Sequence, residues 1–283
     1  MLRAFEPKEP AVSALHADGV SQPMRVHAPE LEDEAWCPGF LRDGLTAFLQ
    51  VAAERFRIYD NAAPVVAGIL QRHRSQQLVD LCSGGGGPLL RLREALQKHH
   101  NVDVVAVLTD LYPNLSAFDE AVARGRGRIT TVRESVDAGD VPTSLQGVRT
   151  IFNAFHHFRP ELARRIVEDA ARKRQPFVSL EVVERRLATI VFLTGTPFAV
   201  WGLTPWSRPL TFARVFFTYL VPLIPMGVLW DGLCSCLRAY SVDELKELTA
   251  GLDDDGYRFR VERIEVAWFP VRITALIGEP LSG

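Results

Sequence analysis

The run Val79-Asp80-Leu81-Cys82-Ser83-Gly84-Gly85-Gly86-Gly87 closes a short apolar, strand-like stretch, residues 77–81, and leads into an amphipathic one, residues 89–96. Glycines at such a junction let the backbone turn tightly and approach a ligand closely, and the helix that follows offers its unpaired N-terminal amides. Any nucleotide-like ligand is satisfied by that much, and spacing then separates the candidates. A dinucleotide fingerprint needs Gly-x-Gly-x-x-Gly; Gly84 and Gly86 take the first two positions, but Leu89 takes the third. A P-loop ends in Gly-Lys-Ser/Thr, whereas Gly87 is followed by Pro88-Leu89.

Downstream of this loop the pattern alternates. Residues 102–108, 129–132, 148–152 and 177–183 read as strands; helices read from Pro113 to the Gly125–Gly127 turn and from Pro160 to about residue 174. Steady strand–helix alternation implies right-handed crossovers and a parallel sheet. Upstream, Phe40, Leu41, Leu45, Phe48, Leu49 and Ala52 recur at helical spacing, followed by Phe56 and Tyr59, and a second helix is expected after Asp60-Asn61. At the far end, Ser241-Val242-Asp243-Glu244 is a capping box for a helix to Thr249. Residues 257–266 and 271–277 then read as an antiparallel hairpin at a sheet edge, joined by Ala267-Trp268-Phe269-Pro270.

Three carboxylates follow three successive strands: Asp80, Asp110 and Asp137. Each alone is as well read as a strand-end or helix cap. Together, beside a Gly-rich loop, they describe a ligand. A carboxylate at Asp80 repels a pyrophosphate but attracts an α-ammonium group, which favours an amino-acid-bearing cofactor such as S-adenosylmethionine. Asp110 is placed to take both ribose hydroxyls, and Asp137 to accept from an adenine amino group.

On these residues the chain resembles the class I S-adenosylmethionine-dependent methyltransferases of the small-molecule type. Asp80-Leu81-Cys82-Ser83-Gly84-Gly85-Gly86 looks like their first motif, Asp-x-Gly-x-Gly-x-Gly, with Cys82 in place of the first Gly. Phe152-Asn153-Ala154-Phe155-His156-His157-Phe158 is similar to their segment after the fourth strand. The resemblance spans roughly residues 60–183 and the terminal hairpin. It implies an α/β, Rossmann-like seven-stranded sheet with one antiparallel strand. It also implies cofactor contacts from Asp80, Cys82, Ser83, Gly84, Gly85, Gly86, Asp110, Leu111, Asp137, Ala138 and Asn153. Asn153 is not followed by Pro-Pro-Tyr or Pro-Pro-Phe, so the amino-directed nucleic-acid pattern is missing.

Methyl transfer from a sulfonium needs an aligned nucleophile and, for some acceptors, a base. His156 and His157 fall just past the fourth strand, and because histidine as a residue type can exchange protons near neutral pH either is a candidate base; the plainer reading is a ring packed on the cofactor or a helix cap. Glu181 and Asp231 are further catalytic candidates, equally readable as structural. Two other readings stay open: a cyclase of the azetidine-2-carboxylate synthase type, releasing methylthioadenosine, and a non-catalytic scaffold on the same fold.

Residues 187–230 carry only two charges, Arg208 and Arg214, and are rich in Phe, Trp and Leu. A helical lid over a substrate pocket is the favoured reading; membrane association and a dimer surface are the alternatives. Tyr59, Phe217 and Trp230 are the expected substrate-binding side chains, and the apolar lining points to a lipophilic small molecule. The expected organisation is therefore a loosely ordered leader over 1–35, a helical cap over 36–75, and a cofactor-binding domain over 76–283 with the lid at 187–230. With 32 basic and 34 acidic residues the chain lacks a nucleic-acid binder's charge. Four cysteines with no secretory pattern indicate reduced thiols and a cytoplasmic protein; the expected state is a monomer or homodimer. Cys234-Ser235-Cys236 lacks zinc-ligand spacing, so no metal is expected.

Overall fold

Residues 24–253, 256–266 and 270–281 are described by a computed structural model. Helix α1 (Gly39–Phe56) ends where Arg57 turns left-handed at φ 52°, a 3-10 turn covers Ile58–Ala62, and α2 (Ala63–Arg72) follows. Then come β1 (Gln77–Asp80), α3 (Gly87–His100), β2 (Val105–Leu108), α4 (Leu115–Arg124), β3 (Ile129–Thr131), β4 (Val148–Phe152), α5 (Pro160–Arg172) and β5 (Phe177–Glu181). The apolar insertion folds as α6 (Leu187–Leu193), α7 (Thr196–Leu203), α8 (Phe212–Val215), a π-turn segment Phe216–Leu220 and α9 (Leu223–Arg238). Helix α10 (Val242–Thr249) and strands β6 (Tyr257–Glu265) and β7 (Arg272–Pro280) end the described chain.

The seven strands lie in the order β3-β2-β1-β4-β5-β7-β6. Strands β1 to β5 are parallel; β7 runs antiparallel to both β5 and β6. This is the seven-stranded sheet with a reversed strand that the resemblance implies. Helices α2 and α3 cover one face through Val66, Ile69, Leu70, Leu89 and Leu92, and α5 and α10 cover the other through Ile166, Val167, Leu245 and Leu248. Strands β4 and β5 are buried at every position, as central parallel strands are, and carry Arg149, Thr150, Ser179 and Glu181 among their apolar residues.

A third, smaller core joins α1 to the insertion: Leu41 and Leu45 pack with Val200, Ile224 and Val228. Glycine permits this close crossing. A Cβ on Gly44 would stand 2.6 Å from Ile224 Cδ1, so α1 and α9 meet at a position where any side chain would force them apart.

The structure differs from expectation at several places; α4 starts at Leu115 and not at Pro113, and β7 runs on to Pro280 and not to residue 277. Strand β2 begins at Val105 and not at residue 102, because α3 runs on to His100 and Val102 N–H bonds back to Leu96 O. Strand β5 ends at Glu181, after which Val182 and Val183 turn toward the cavity described below. The expected leader lies in part outside the described residues, at 1–23; from Met24 onward the segment is docked. Arg25 donates to the carbonyls of His156, Phe158 and Arg238, and Asp231 accepts the amides of Leu31 and Glu32. Polar hydrogen bonds hold it, which is why no hydrophobic periodicity announced it. The link at 267–269 also lies outside the described residues.

Beneath the sheet, Arg149 on β4 donates to Asp169 on α5 at 2.9 Å, with both side chains 1% exposed. Asp169 also pairs with Arg172 at 2.6 Å and Lys173 at 2.7 Å. Removing its charge strands a buried guanidinium, which costs about 3–5 kcal/mol. Asp169→Asn is therefore expected to lower the urea midpoint by that equivalent at unchanged slope, and a shift below about 1 kcal/mol would show that the pair is dispensable.

Candidate active site

Strand order reverses at β1, whose neighbours are β2 and β4. The loops leaving β1 and β4 diverge there, and in open α/β sheets such a crevice receives the ligand. The β1 loop is pinned from below: Ser83 N–H donates to Thr109 O at 3.0 Å, and Gly86 N–H to Ser83 O at 2.7 Å. Gly86 has φ 69° and leaves no room for a Cβ, which would stand 2.8 Å from Leu108 Cδ1. Gly84 and Gly85 instead face open space. Cys82 adopts φ 58° without being glycine, and burial beside the Asp110, Asp80 and Asp137 charges pushes its thiol well up.

Asp80 lies beneath this loop, 2% exposed, accepting from Thr150 Oγ1 at 2.8 Å. Burial raises its pKa to about 7, against the hydrogen bonds from Thr150 and Ser83. Asp110, half-buried at the end of β2, accepts from Gly84 N–H at 3.0 Å and Tyr112 N–H at 2.9 Å, tying the first loop to the second. Leu111 and Tyr112 beside it are exposed. Asp137 accepts from Gly139 N–H at 2.8 Å and faces Arg165 at 3.6 Å; Ala138 is buried next to it.

A cavity of about 320 Å³ opens from this loop. It meets the loop at Gly85, Gly87 and Pro88, and the end of β4 at Phe152 and Asn153. Asn153 has φ 46° and accepts from Val182 N–H, which fixes the β4 and β5 exits together. Leu45, Phe48 and Ala53 of α1 form one wall, and Phe192, Leu193 and Ala199 of the insertion another. Tyr59 lines it too, buried, edge-on to Phe152 at 5.1 Å.

The far end is polar. Glu30, His156, His157, Asp231 and Ser235 line it. His156 is 1% exposed; its Nδ1 is 2.5 Å from Glu181 Oε2, and Glu181 Oε1 accepts from Phe155 N–H at 2.8 Å. Burial alone would raise the Glu181 carboxyl, yet the adjoining His156 holds it below its ordinary value. His157 Nδ1 lies 3.2 Å from Asp33 Oδ2, and the two imidazoles stack with centroids 4.3 Å apart. Glu30 is buried, which pushes its carboxyl up to about 7 despite His157 and Arg238 nearby. Glu32 is raised to about 7 for the same reason, against a bond from Thr46.

The structure thus brings His156, His157, Glu181 and Tyr59 to one cavity region, and sets Asp80, Asp110 and Asp137 along the strand ends beside it. It does not bring Phe217 and Trp230 there. Phe217 stacks on Phe40 at 4.1 Å, outside the lining, and half-exposed Trp230 donates Nε1–H to Pro29 O. Asp231 reaches the cavity, but its carboxylate is engaged by the amides of residues 31 and 32. Glu30, Ser235 and Arg238 were not among the expected site residues. One signal was available: Asp231, Ser235 and Arg238 sit four and three residues apart, one polar stripe on an otherwise apolar helix.

The outer face of the insertion is apolar as well: Phe198, Phe212 and Leu220 are at least 70% exposed. Among the described residues no single helix is long and apolar enough to cross a membrane. Two bent pairs, Leu187–Leu193 with Thr196–Trp206 and Phe212–Leu220 with Leu223–Arg238, meet the length and composition together, with bends of 42° and 77°.

No family model and no curated protein matches this chain. Among solved structures it is similar to a Nostoc punctiforme protein provisionally described as an O-methyltransferase, at 11% identity over 90% of this chain and 64% of that one, TM-score 0.46. It is similar also to an O-methyltransferase of neocarzinostatin biosynthesis solved with S-adenosylmethionine and 2-hydroxy-5-methyl naphthoic acid, at 17% identity over 78% and 57%, TM-score 0.43. A third is a pericyclic reaction enzyme, at 18% identity over 73% and 43%, TM-score 0.45. The chain spans less than two-thirds of the length of each.

The Asp80 carboxyl yields a pH test. Its folded pKa, about 7, stands above the unfolded value of 3.8. The stability it contributes is full below about pH 4 and is lost as pH rises through 7. Asp80→Asn keeps an acceptor for Thr150 and removes the ionisation. In the absence of ligand the variant is expected to gain on the wild type from pH 4 to pH 7 and to hold that lead at pH 8. Parallel urea midpoints across this range would mean that Asp80 ionises freely.

Proposed function

We propose that this chain is an S-adenosylmethionine-dependent methyltransferase acting on a small, lipophilic acceptor. The observation that carries the reading is one continuous cavity running from Gly85 and Gly87 to the polar cluster at His156, between apolar walls from α1 and the insertion.

The loop residues fit the cofactor. Gly84 and Gly85 leave space for close approach, and the N-terminus of α3 directs amides toward it. Asp110 retains lone pairs beyond its two backbone bonds and takes the ribose hydroxyls. Leu111, Asp137 and Ala138 bound the adenine, and Asn153 and the segment from Cys82 to Gly86 the amino-acid end. Asp80 acts from beneath: an ammonium group above the loop favours its ionised form, so it stabilises the bound state through field and loop shape and not by direct contact.

Bound there, the cofactor supplies an electrophilic methyl group on sulfur. The rest falls to the chain. Tyr59 and Phe152 floor the acceptor site, and Phe192, Leu193 and Ala199 exclude water, which would compete as nucleophile. Glu181 holds the His156 Nδ1 proton, so Nε2 is the basic atom offered to the cavity. The acceptor's polar end lies against it and its apolar body along the walls. The exposed apolar face of the insertion suits uptake from a lipid surface. Intramolecular cyclisation of the cofactor needs no such space beyond the loop and is the less favoured reading.

The test is product analysis. Incubation with S-adenosylmethionine and a panel of lipophilic phenols and alcohols is expected to release S-adenosylhomocysteine; methylthioadenosine would assign cyclisation instead, and no product a scaffold. Asp110→Ala should weaken S-adenosylhomocysteine binding about ten- to hundredfold by calorimetry. Ala199→Phe, which fills the acceptor end, should leave that affinity intact and cut turnover at least tenfold. Equal loss of both in Ala199→Phe would place the acceptor elsewhere.

A further inference from the structure

The polar end of the cavity holds an arrangement that methyl transfer by itself does not require. His156, His157 and Glu30 converge from two distant parts of the chain, with one possible ligand atom from each lying within 4.8 Å of the others. Each Nε2 stands 3.7 Å from its own Glu30 oxygen, too far for a hydrogen bond. His156 Nε2 is buried and has no partner among the described residues. A buried nitrogen left unpaired is costly and uncommon, so a group that binds it is called for.

We propose that Glu30, His156 and His157 bind a divalent first-row transition ion, with its remaining coordination positions open to the cavity.

Four features support this. Both rings present Nε2 inward because a carboxylate takes each Nδ1: Glu181 for His156 and Asp33 for His157. Metal-bound histidines are oriented in just this way, by an outer carboxylate that fixes the tautomer and raises the basicity of the inner nitrogen. The spacing is close to a coordination sphere. Ligands about 2.1 Å from a tetrahedral ion lie about 3.4 Å apart; the two histidine–Glu30 distances of 3.7 Å, one to each carboxylate oxygen, are close to that, and the set as a whole, within 4.8 Å, draws in when an ion binds. The surroundings are acidic. Glu30, Asp33, Glu181 and Asp231 bring four carboxyl groups to this end of the cavity beside the Arg238 guanidinium, so a cation is attracted there. Finally, His156, His157 and Glu30 all line the cavity, so a three-ligand site leaves open positions on the acceptor side.

Two imidazoles with one carboxylate suit zinc, iron(II), cobalt or manganese rather than the all-oxygen preference of magnesium or calcium. Arg238 reaches His157 Nδ1 at 3.2 Å as well as Asp33. With His157 Nδ1 protonated toward Asp33, the guanidinium stays on the two carboxylates, outside the coordination sphere. The chemical class of acceptor this favours is one with an oxygen or nitrogen donor able to occupy an open position. The proposal rests on the reading above and changes one part of it: with His156 Nε2 on the ion, the ion and not the free imidazole meets the acceptor's polar end. It stands on the cluster's geometry, so its test does not depend on methyl transfer.

The experiment uses the full chain without a polyhistidine tag, stripped with chelator and dialysed. Zinc(II) and cobalt(II) are titrated by calorimetry, and the cobalt form is read by visible absorption. One ion per chain is expected, with cobalt bands of nitrogen and oxygen ligation and no thiolate charge-transfer band. Glu30→Gln and His157→Asn should each weaken the ion at least a hundredfold, while S-adenosylhomocysteine affinity, set across the cavity, reports that the variants are folded. Absence of stoichiometric uptake by the wild type overturns the proposal, as does a thiolate spectrum or undiminished uptake in both folded variants. Should the variants not fold, wild-type stoichiometry and spectrum decide. A wild type that methylates an acceptor yet takes up no ion would sink this site and leave the proposed function standing.

Discussion

Parallel strands can be joined only by crossovers, and their direction reverses at β1: the chain steps from β1 to β2 and β3 on one side, then returns to β4 and β5 on the other. The carboxyl end of β1 consequently has no connection running across it, and the loops at 82–87 and 153–157 stand apart with a gap between them. Everything functional is placed by that gap. Glycine is needed in the first loop because the backbone must turn above Leu108 without a side chain. The second loop is held at Asn153, whose side chain bridges to Val182 and locks the β4 and β5 exits together. The cavity is the continuation of the gap, roofed by α1 and the insertion.

Burying the walls of such a gap also buries charge. Asp80 and Glu30 are both forced toward their neutral forms by desolvation, while Glu181 resists it through His156. A fold optimised for stability alone would replace these carboxyls, since breaking even with buried ionic groups requires near-complete pairing. The sheet supplies compensation elsewhere, in the apolar packing of Ile151 and Phe177 with α5 and of Val178 and Leu180 with α2. The site is thus a set of local deficits tolerated by a well-packed support.

How much of this was legible follows from what kind of force places each part. The sheet was readable because burial on two faces writes continuous apolar runs, and Gly86 because its loop needs a positive φ. The His156-His157 pair was readable because it directly follows β4. Glu30 was not. It reaches the site through polar bonds, from Arg25 to backbone carbonyls and from residues 31 and 32 to Asp231, and such bonds leave no periodicity in sequence. Phe217 and Trp230 were misleading for the opposite reason. They are large and apolar in a region of large apolar residues, and only the helix orientation tells which of these face inward; Phe217 turns to Phe40 and Trp230 to Pro29.

The same polar bonds tie the assembly of the site to a single helix. Asp231, Ser235 and Arg238 follow one stripe of α9: the first caps the turn at Leu31–Asp33, the second donates to Glu30, and the third bonds to Ala28 O, Glu30 and Asp33. The opposite side of α9 carries Ile224 and Val228 into the core shared with α1. One helix therefore fixes the roof of the cavity with its apolar side and delivers Glu30 to the histidines with its polar side. Because both tasks share one rigid body, a shift of the insertion that widens the apolar walls must also move Glu30 relative to His156 and His157. Acceptor fit and the geometry of the polar cluster are mechanically coupled through α9, and the insertion is in that sense part of the site rather than a cover placed over it.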